Sequence, residues 1–125
     1  MPLTWTISHP TKMVTAVTKD AVSLLEMQSY LDAVVVEDAM GYRKLFDISN
    51  GALSLNENEM MALGARIRAY AATAKMGPLA LVAGSPKAYD QARTYTALAS
   101  ADRPMQIFRD LATARKWLEA QPPVA

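Results

Sequence analysis

Three short apolar runs, each followed within a few residues by a helix-start signal, constrain this chain more than any other feature. They are Lys44 to Ile48, Leu79 to Ala83 and Met105 to Phe108. Runs of four or five such residues are too short for buried helices and suit strands covered by helices. After the first comes Ser54 or Asn56, each with a glutamate three positions on (Glu57, Glu59); after the second, Ser85 with Pro86 at the first helical position; after the third, Asp110. Each cap residue offers an oxygen to the free N–H groups of a helix start, and Pro86 gives up an N–H that would have had no partner there. Strands that alternate with helices across connections of a few residues imply parallel pairing through right-handed crossovers.

The amino-terminal part differs. Leu3 to Ser8 alternates apolar Leu3, Trp5 and Ile7 with polar Thr4, Thr6 and Ser8, and Met13 to Thr18 continues with β-branched residues. Pro10 fixes its own φ and biases His9 away from helix, so His9-Pro10-Thr11-Lys12 reads as the turn of an antiparallel hairpin. Ser23 with Glu26 is a capping-box pair, and the spacing of Leu24, Met27, Leu31 and Val34 predicts a helix to Met40 with Gly41 as its left-handed cap. Asp47-Ile48-Ser49-Asn50-Gly51 reads as loop. The second helix carries Met60, Leu63, Ile67, Tyr70 and Ala74 on its apolar stripe and stops at Gly77-Pro78; the third ends near Ala101; the last runs through Leu111, Ala114, Trp117 and Leu118 to Pro122-Pro123. The expected fold is α/β, one domain over residues 1–125, in the order β-β-α-β-α-β-α-β-α: a mixed five-stranded sheet with four helices.

Composition removes several function classes. Thirteen Lys and Arg against twelve Asp and Glu, with no cluster above two adjacent basic residues, leave no basic footprint for nucleic acid. The lack of Cys excludes disulfides, thiolate catalysis and Cys-ligated metals. No signal peptide or apolar span of about 20 residues is present, so a cytoplasmic location is expected. The single histidine, His9, has no metal-ligating companion, and neither G-x-x-x-x-G-K nor G-x-G-x-x-G occurs, so no metal and no cofactor are expected. An enzyme that uses Asp47 ranks last, because no second catalytic group pairs with it in the sequence.

The element order, with Lys44-Leu45-Phe46-Asp47-Ile48-Ser49 and the closing Ile107-Phe108-Arg109-Asp110-Leu111, Ala114, Trp117 and Leu118, resembles the STAS-like domains of the anti-anti-sigma factors. The likeness is to their bacterial SpoIIAA-like branch, which is also grouped with SEC14-type lipid-binding domains. The resemblance implies a non-catalytic regulatory module that docks onto a protein partner through the loop after the central strand and the helix that follows. Its members are switched by phosphorylation of a serine at the start of that helix. Here Leu55-Asn56-Glu57 stands in place of Asp-Ser-Ser, so the resemblance implies that the switch is absent at Asn56; Ser49 and Ser54 lie nearby.

In open α/β sheets ligands bind beyond the carboxyl ends of the strands, where helix N-termini present free N–H groups. Asp47, Ser49, Asn50, Ser54, Asn56, Gly84 and Ser85 would line that edge, and they form the expected interaction surface. The same residues also serve as caps and turn formers, each cap worth about 1 kcal/mol. Eight methionines suit adaptable packing and keep open an alternative, a lipid or other small apolar ligand between sheet and helices. Helices gathered mainly on one side of the sheet would leave apolar surface for a second copy, so a homodimer is the further partner expectation.

Overall fold

The computed structural model describes residues 2–99, 103–122 and 124. Nine elements follow in chain order: β1 (Leu3–Ser8), β2 (Met13–Val22), α1 (Leu24–Val36), β3 (Arg43–Leu53), α2 (Glu57–Ala71), β4 (Leu79–Ala83), α3 (Pro86–Leu98), β5 (Met105–Phe108) and α4 (Leu111–Glu119). The five strands form one sheet in the order β1-β2-β3-β4-β5. The β1–β2 pair is antiparallel and the other three pairs are parallel. This is the α/β architecture expected from the sequence.

Spatial order that matches chain order has a direct consequence. Each right-handed crossover steps the same way, so the three crossover helices must pack on one face of the sheet. The core confirms it. Leu3, Val14, Ala16, Phe46, Ile48, Leu79, Leu81 and Ala83 share one cluster with Met27, Leu31 and Val34 of α1, Met60, Leu63 and Ile67 of α2, and Ala88, Ala92 and Tyr95 of α3. The opposite face holds a smaller cluster of Leu45, Ala80, Val82 and Phe108 under Ala114 and Leu118 of α4. Strand side chains alternate between these faces.

Three boundaries differ from the sequence expectation. Helix α1 ends at Val36 and not at Met40, and no glycine takes a left-handed conformation; the left-handed residue is Asp38, at φ 55°. Asp38 N–H reaches Val35 O and Ala39 N–H reaches Val34 O, at 3.0 and 2.9 Å. These two bonds make a Schellman closure in which Asp38 takes the left-handed place expected of Gly41 and the buried Ala39 follows it. Helix α2 likewise stops at Ala71, so Ala74 lies beyond its stripe. The predicted end of the third helix at Ala101 and the stop at Pro123 lie outside the described residues; α3 is closed by Ala99.

The third difference bears on function. Asp47 to Gly51 is not a loop: β3 continues to Leu53, paired with an equally extended β2 through Lys19↔Asn50 and Val22↔Leu53. The register slips between Val17 and Lys19, which absorbs an extra residue as a bulge beside Asp47. Turn-forming residues are held in strand geometry here by the ladder to β2.

Candidate functional site

Each of the expected surface residues has a definite place. The Asp47 carboxylate accepts hydrogen bonds from Ser49 N–H, at 2.9 Å, and from the Ser49 hydroxyl. Thr18 Oγ1 donates to Asp47 O at 3.2 Å and ties the bulge to β2. Gly84 lies against the Ser49 backbone so closely that any Cβ would strike Ser49 O, and this lets the chain leave β4 close against the middle of β3, just past the Ile48↔Ala83 pair. The structure thus brings Asp47, Ser49 and Gly84 together.

The others go elsewhere. Asn56 caps α2 by accepting from Glu59 N–H at 2.8 Å, while Glu59 Oε1 accepts from Asn56 N–H at 3.0 Å. Ser85 caps α3 through Ala88 N–H at 3.1 Å. Asn50 sits exposed in the strand extension, and Ser54 N–H closes the end of that ladder on Val22 O at 2.7 Å. By alternation Asp47, paired with Val82, belongs to the α4 face, whereas Asn56 and Ser85 start helices on the other. The seven residues therefore do not converge on one crevice. A sheet whose strands run in chain order has no point at which successive crossovers diverge to opposite faces, and that divergence is what opens the ligand crevice of doubly wound sheets.

What the carboxyl edge does offer is a groove of about 600 Å³ between the start of α2 and the flank of α3. Leu55, Met60 and Leu98 supply its apolar side; Asn56, Glu57, Lys87, Asp90, Gln91 and Thr94 supply the polar rim. Gln91 also fixes the groove to the sheet: its Oε1 accepts from Leu53 N–H at 3.1 Å and its Nε2 donates to Leu53 O at 2.6 Å. That clamp carried no local sequence signal. Gly64 lets the two helices approach, since a Cβ there would lie 2.8 Å from Leu98 O.

A second feature lies at the opposite, amino-terminal edge of the parallel strands, where sequence reasoning placed nothing. Lys44, the second residue of β3, lies on the same face as Phe46 and Ile48, and it is only 4% exposed. Its Nζ donates to Met40 O and to Tyr42 O, the latter at 3.0 Å. Burial, followed by the charge of Arg103, pulls its pKa from the ordinary 10.5 to about 7. Lys44 lines a cavity of about 20 Å³ between α1 and the sheet, along with Tyr30, Tyr95, Arg103 and mostly apolar side chains. Burial pushes the Tyr30 and Tyr95 phenols up as well. Period-two alternation already placed Lys44 on the core face and was the signal available for it.

The reverse face over β1 and β2 is not the apolar patch that the homodimer expectation needed: it shows Thr4, Thr6 and Thr15, with Val17 the one exposed large apolar side chain on these two strands. Among the described residues no helix is long and apolar enough to cross a membrane, and no three His, Asp or Glu side chains group as a metal site.

No family model matches this chain, and comparison with curated proteins and with solved structures gave no match.

Proposed function

We propose that this chain is a non-catalytic binding module, of the STAS-like kind that its element order resembles, and that it docks a protein partner at the groove between α2 and α3. The groove itself carries the reading. It combines an apolar side with a rim of both charge signs, a make-up suited to taking an apolar anchor from a partner while the rim sets orientation. The polar residues of the carboxyl edge support binding over chemistry: Asn56, on the groove rim, and Ser85 are used as helix caps, and Asp47, on the α4 face, is already engaged by Ser49. With Asn56 as the α2 cap, a phosphoserine switch at that position has no hydroxyl to act on.

The test places a photo-crosslinking residue at Thr94 and maps the adducts formed in the native cell. One dominant partner, cross-linked through an apolar segment and lost in folded Lys87→Glu and Asn56→Arg variants, is the expected result. Partners unchanged by both variants refute the reading.

The alternative, a small apolar ligand, is favoured by the cavity under α1. At about 20 Å³ the resting cavity holds little more than one water, so an acyl chain requires α1 to move away from the sheet. Native mass spectrometry of the purified chain reads this directly: a bound apolar mass supports it and a clean apo mass removes it. Self-association is proposed through the helical layer, where Leu25, Val36 and Met61 are exposed at 72%, 83% and 51%, and light scattering decides it.

A further inference from the structure

Lys44 is a buried amine with two acceptors for its protons and no carboxylate partner among the described residues. The Arg66–Asp32 ion pair and the His9–Glu37 contact found there lie elsewhere. An ammonium group has three N–H donors, and the protein supplies two carbonyls, Met40 O and Tyr42 O. As a neutral amine, Lys44 satisfies both N–H groups and keeps its lone pair free. Burial lowers its pKa to about 7 and so brings the neutral amine within reach near neutral pH.

The surroundings define what the lone pair can meet. Tyr30 is 3% exposed and T-stacked on Trp5 and Phe46, and its buried hydroxyl has no hydrogen-bond partner among the described residues. Tyr95 and Arg103 line the same cavity, and the guanidinium is near enough to depress the Lys44 pKa. The site therefore lines with a nucleophilic amine and with donor-bearing side chains a space slightly larger than the roughly 10–15 Å³ a water needs. A reactant must be apolar enough to cross Met27, Leu31 and Phe46, small enough for that space, and anionic once it has reacted.

Carbon dioxide meets all three conditions, and we propose that Lys44 is a carbon dioxide-binding site that works by reversible carbamate formation. The amine lone pair attacks the carbon of CO₂ and forms a C–N bond. One C=O π pair moves onto oxygen, and one N–H proton leaves to solvent. The product, Lys-NH-COO⁻, carries one negative charge where the ammonium form carried a positive one. Its remaining N–H keeps one of the two backbone carbonyls, and its carboxylate accepts from the Tyr30 hydroxyl and from Arg103. This site lies at the opposite edge of the sheet from the docking groove and does not depend on it.

The experiment uses the full chain in ¹³C-labelled bicarbonate, read by ¹³C NMR between pH 6 and 8.5. Alkyl-oxonium trapping and peptide mapping run alongside. One carbamate resonance that strengthens as the pH rises through 7, with the trapped adduct mapped to Lys44, is expected. It should vanish in Lys44→Met and fall several-fold in Tyr30→Phe, which keeps the ring and removes the hydroxyl. No resonance, an adduct on another residue, or occupancy unchanged by Tyr30→Phe overturns the proposal. Trapping on the unsubstituted chain decides the matter even where Lys44→Met fails to fold.

Discussion

Replacing Lys44 by Met should abolish a pH dependence of stability that the buried amine is expected to give the native chain. A lysine whose folded pKa is depressed binds fewer protons folded than unfolded across the interval between the two values. Stability therefore rises with pH through that interval, here from about 7 to 10.5. The full drop, at about 1.36 kcal/mol per pH unit, corresponds to about 5 kcal/mol of folding free energy opposed by the charged form. That is a large share of the roughly 5–15 kcal/mol that holds a domain together. Between pH 7.5 and 9.5 the expected gain is about 2.5 kcal/mol. Below pH 7 the cost is fully present, and above about pH 10 the raised pKa values of Tyr30 and Tyr95 pull stability the other way, because only the unfolded chain then loses those protons. Urea unfolding in CO₂-free buffer measures it. With a slope of about 1–3 kcal/mol per molar, the midpoint of the native chain should rise by about 1 M over that window. Met fills a similar volume without a charge, so the Lys44→Met midpoint should stay flat. Parallel profiles for the two proteins would show that the amine is solvated in the folded state and refute the burial argument.

Gly64→Ala should destabilise by about 1–3 kcal/mol in denaturation, because the new methyl would meet Leu98 O at 2.8 Å and force α2 from α3. At an open helical site the same change is worth up to about 1 kcal/mol in favour, so the sign alone tests the contact. Gln91→Ala removes both bonds to Leu53 and should cost about 1–3 kcal/mol. Hydrogen exchange should show faster exchange at Leu53 while the β4 amides stay protected. Asp47→Ala strips the acceptor from Ser49 N–H and should cost a similar amount; an unchanged midpoint would mean that water replaces the carboxylate at no cost.

Much of the fold was legible because its strongest signals are local. Strands β1, β4 and β5 fall on the residues their alternation or apolar runs marked, and Ser23, Asn56, Ser85 and Asp110 each cap the helix they precede. The failures share one cause, the override of local preference by pairing or closure. Asn50-Gly51 has turn chemistry, yet the ladder to Asp20 and Lys19 holds it in strand. Gly41 looked like a cap, yet the chain had already closed α1 at Asp38, where Ala39 gains burial. The site was less legible. Tyr30, Lys44, Tyr95 and Arg103 come from four separate elements or connections, and no spacing rule relates them. Of the seven carboxyl-edge residues, Asn56 and Ser85 do start helices and Gly84 follows β4, but Asp47, Ser49 and Asn50 lie within β3 and not beyond its end; strand order decides whether strand ends and helix starts face one another, and the sequence does not carry strand order.

Among the described residues helix α4 is the only helix that covers the reverse face, and it has nine residues. A segment that short does not hold helical structure in water by itself. Its order is borrowed from the β3–β4–β5 surface, and that surface is finished only when β5 has joined. During synthesis Leu45, Ala80 and Val82 therefore stay wet until β5 and α4 have left the ribosome, and in the folded protein the same helix is the unit expected to lift first. Lifting it would bare a small greasy face beside Asp47 and leave the larger core untouched.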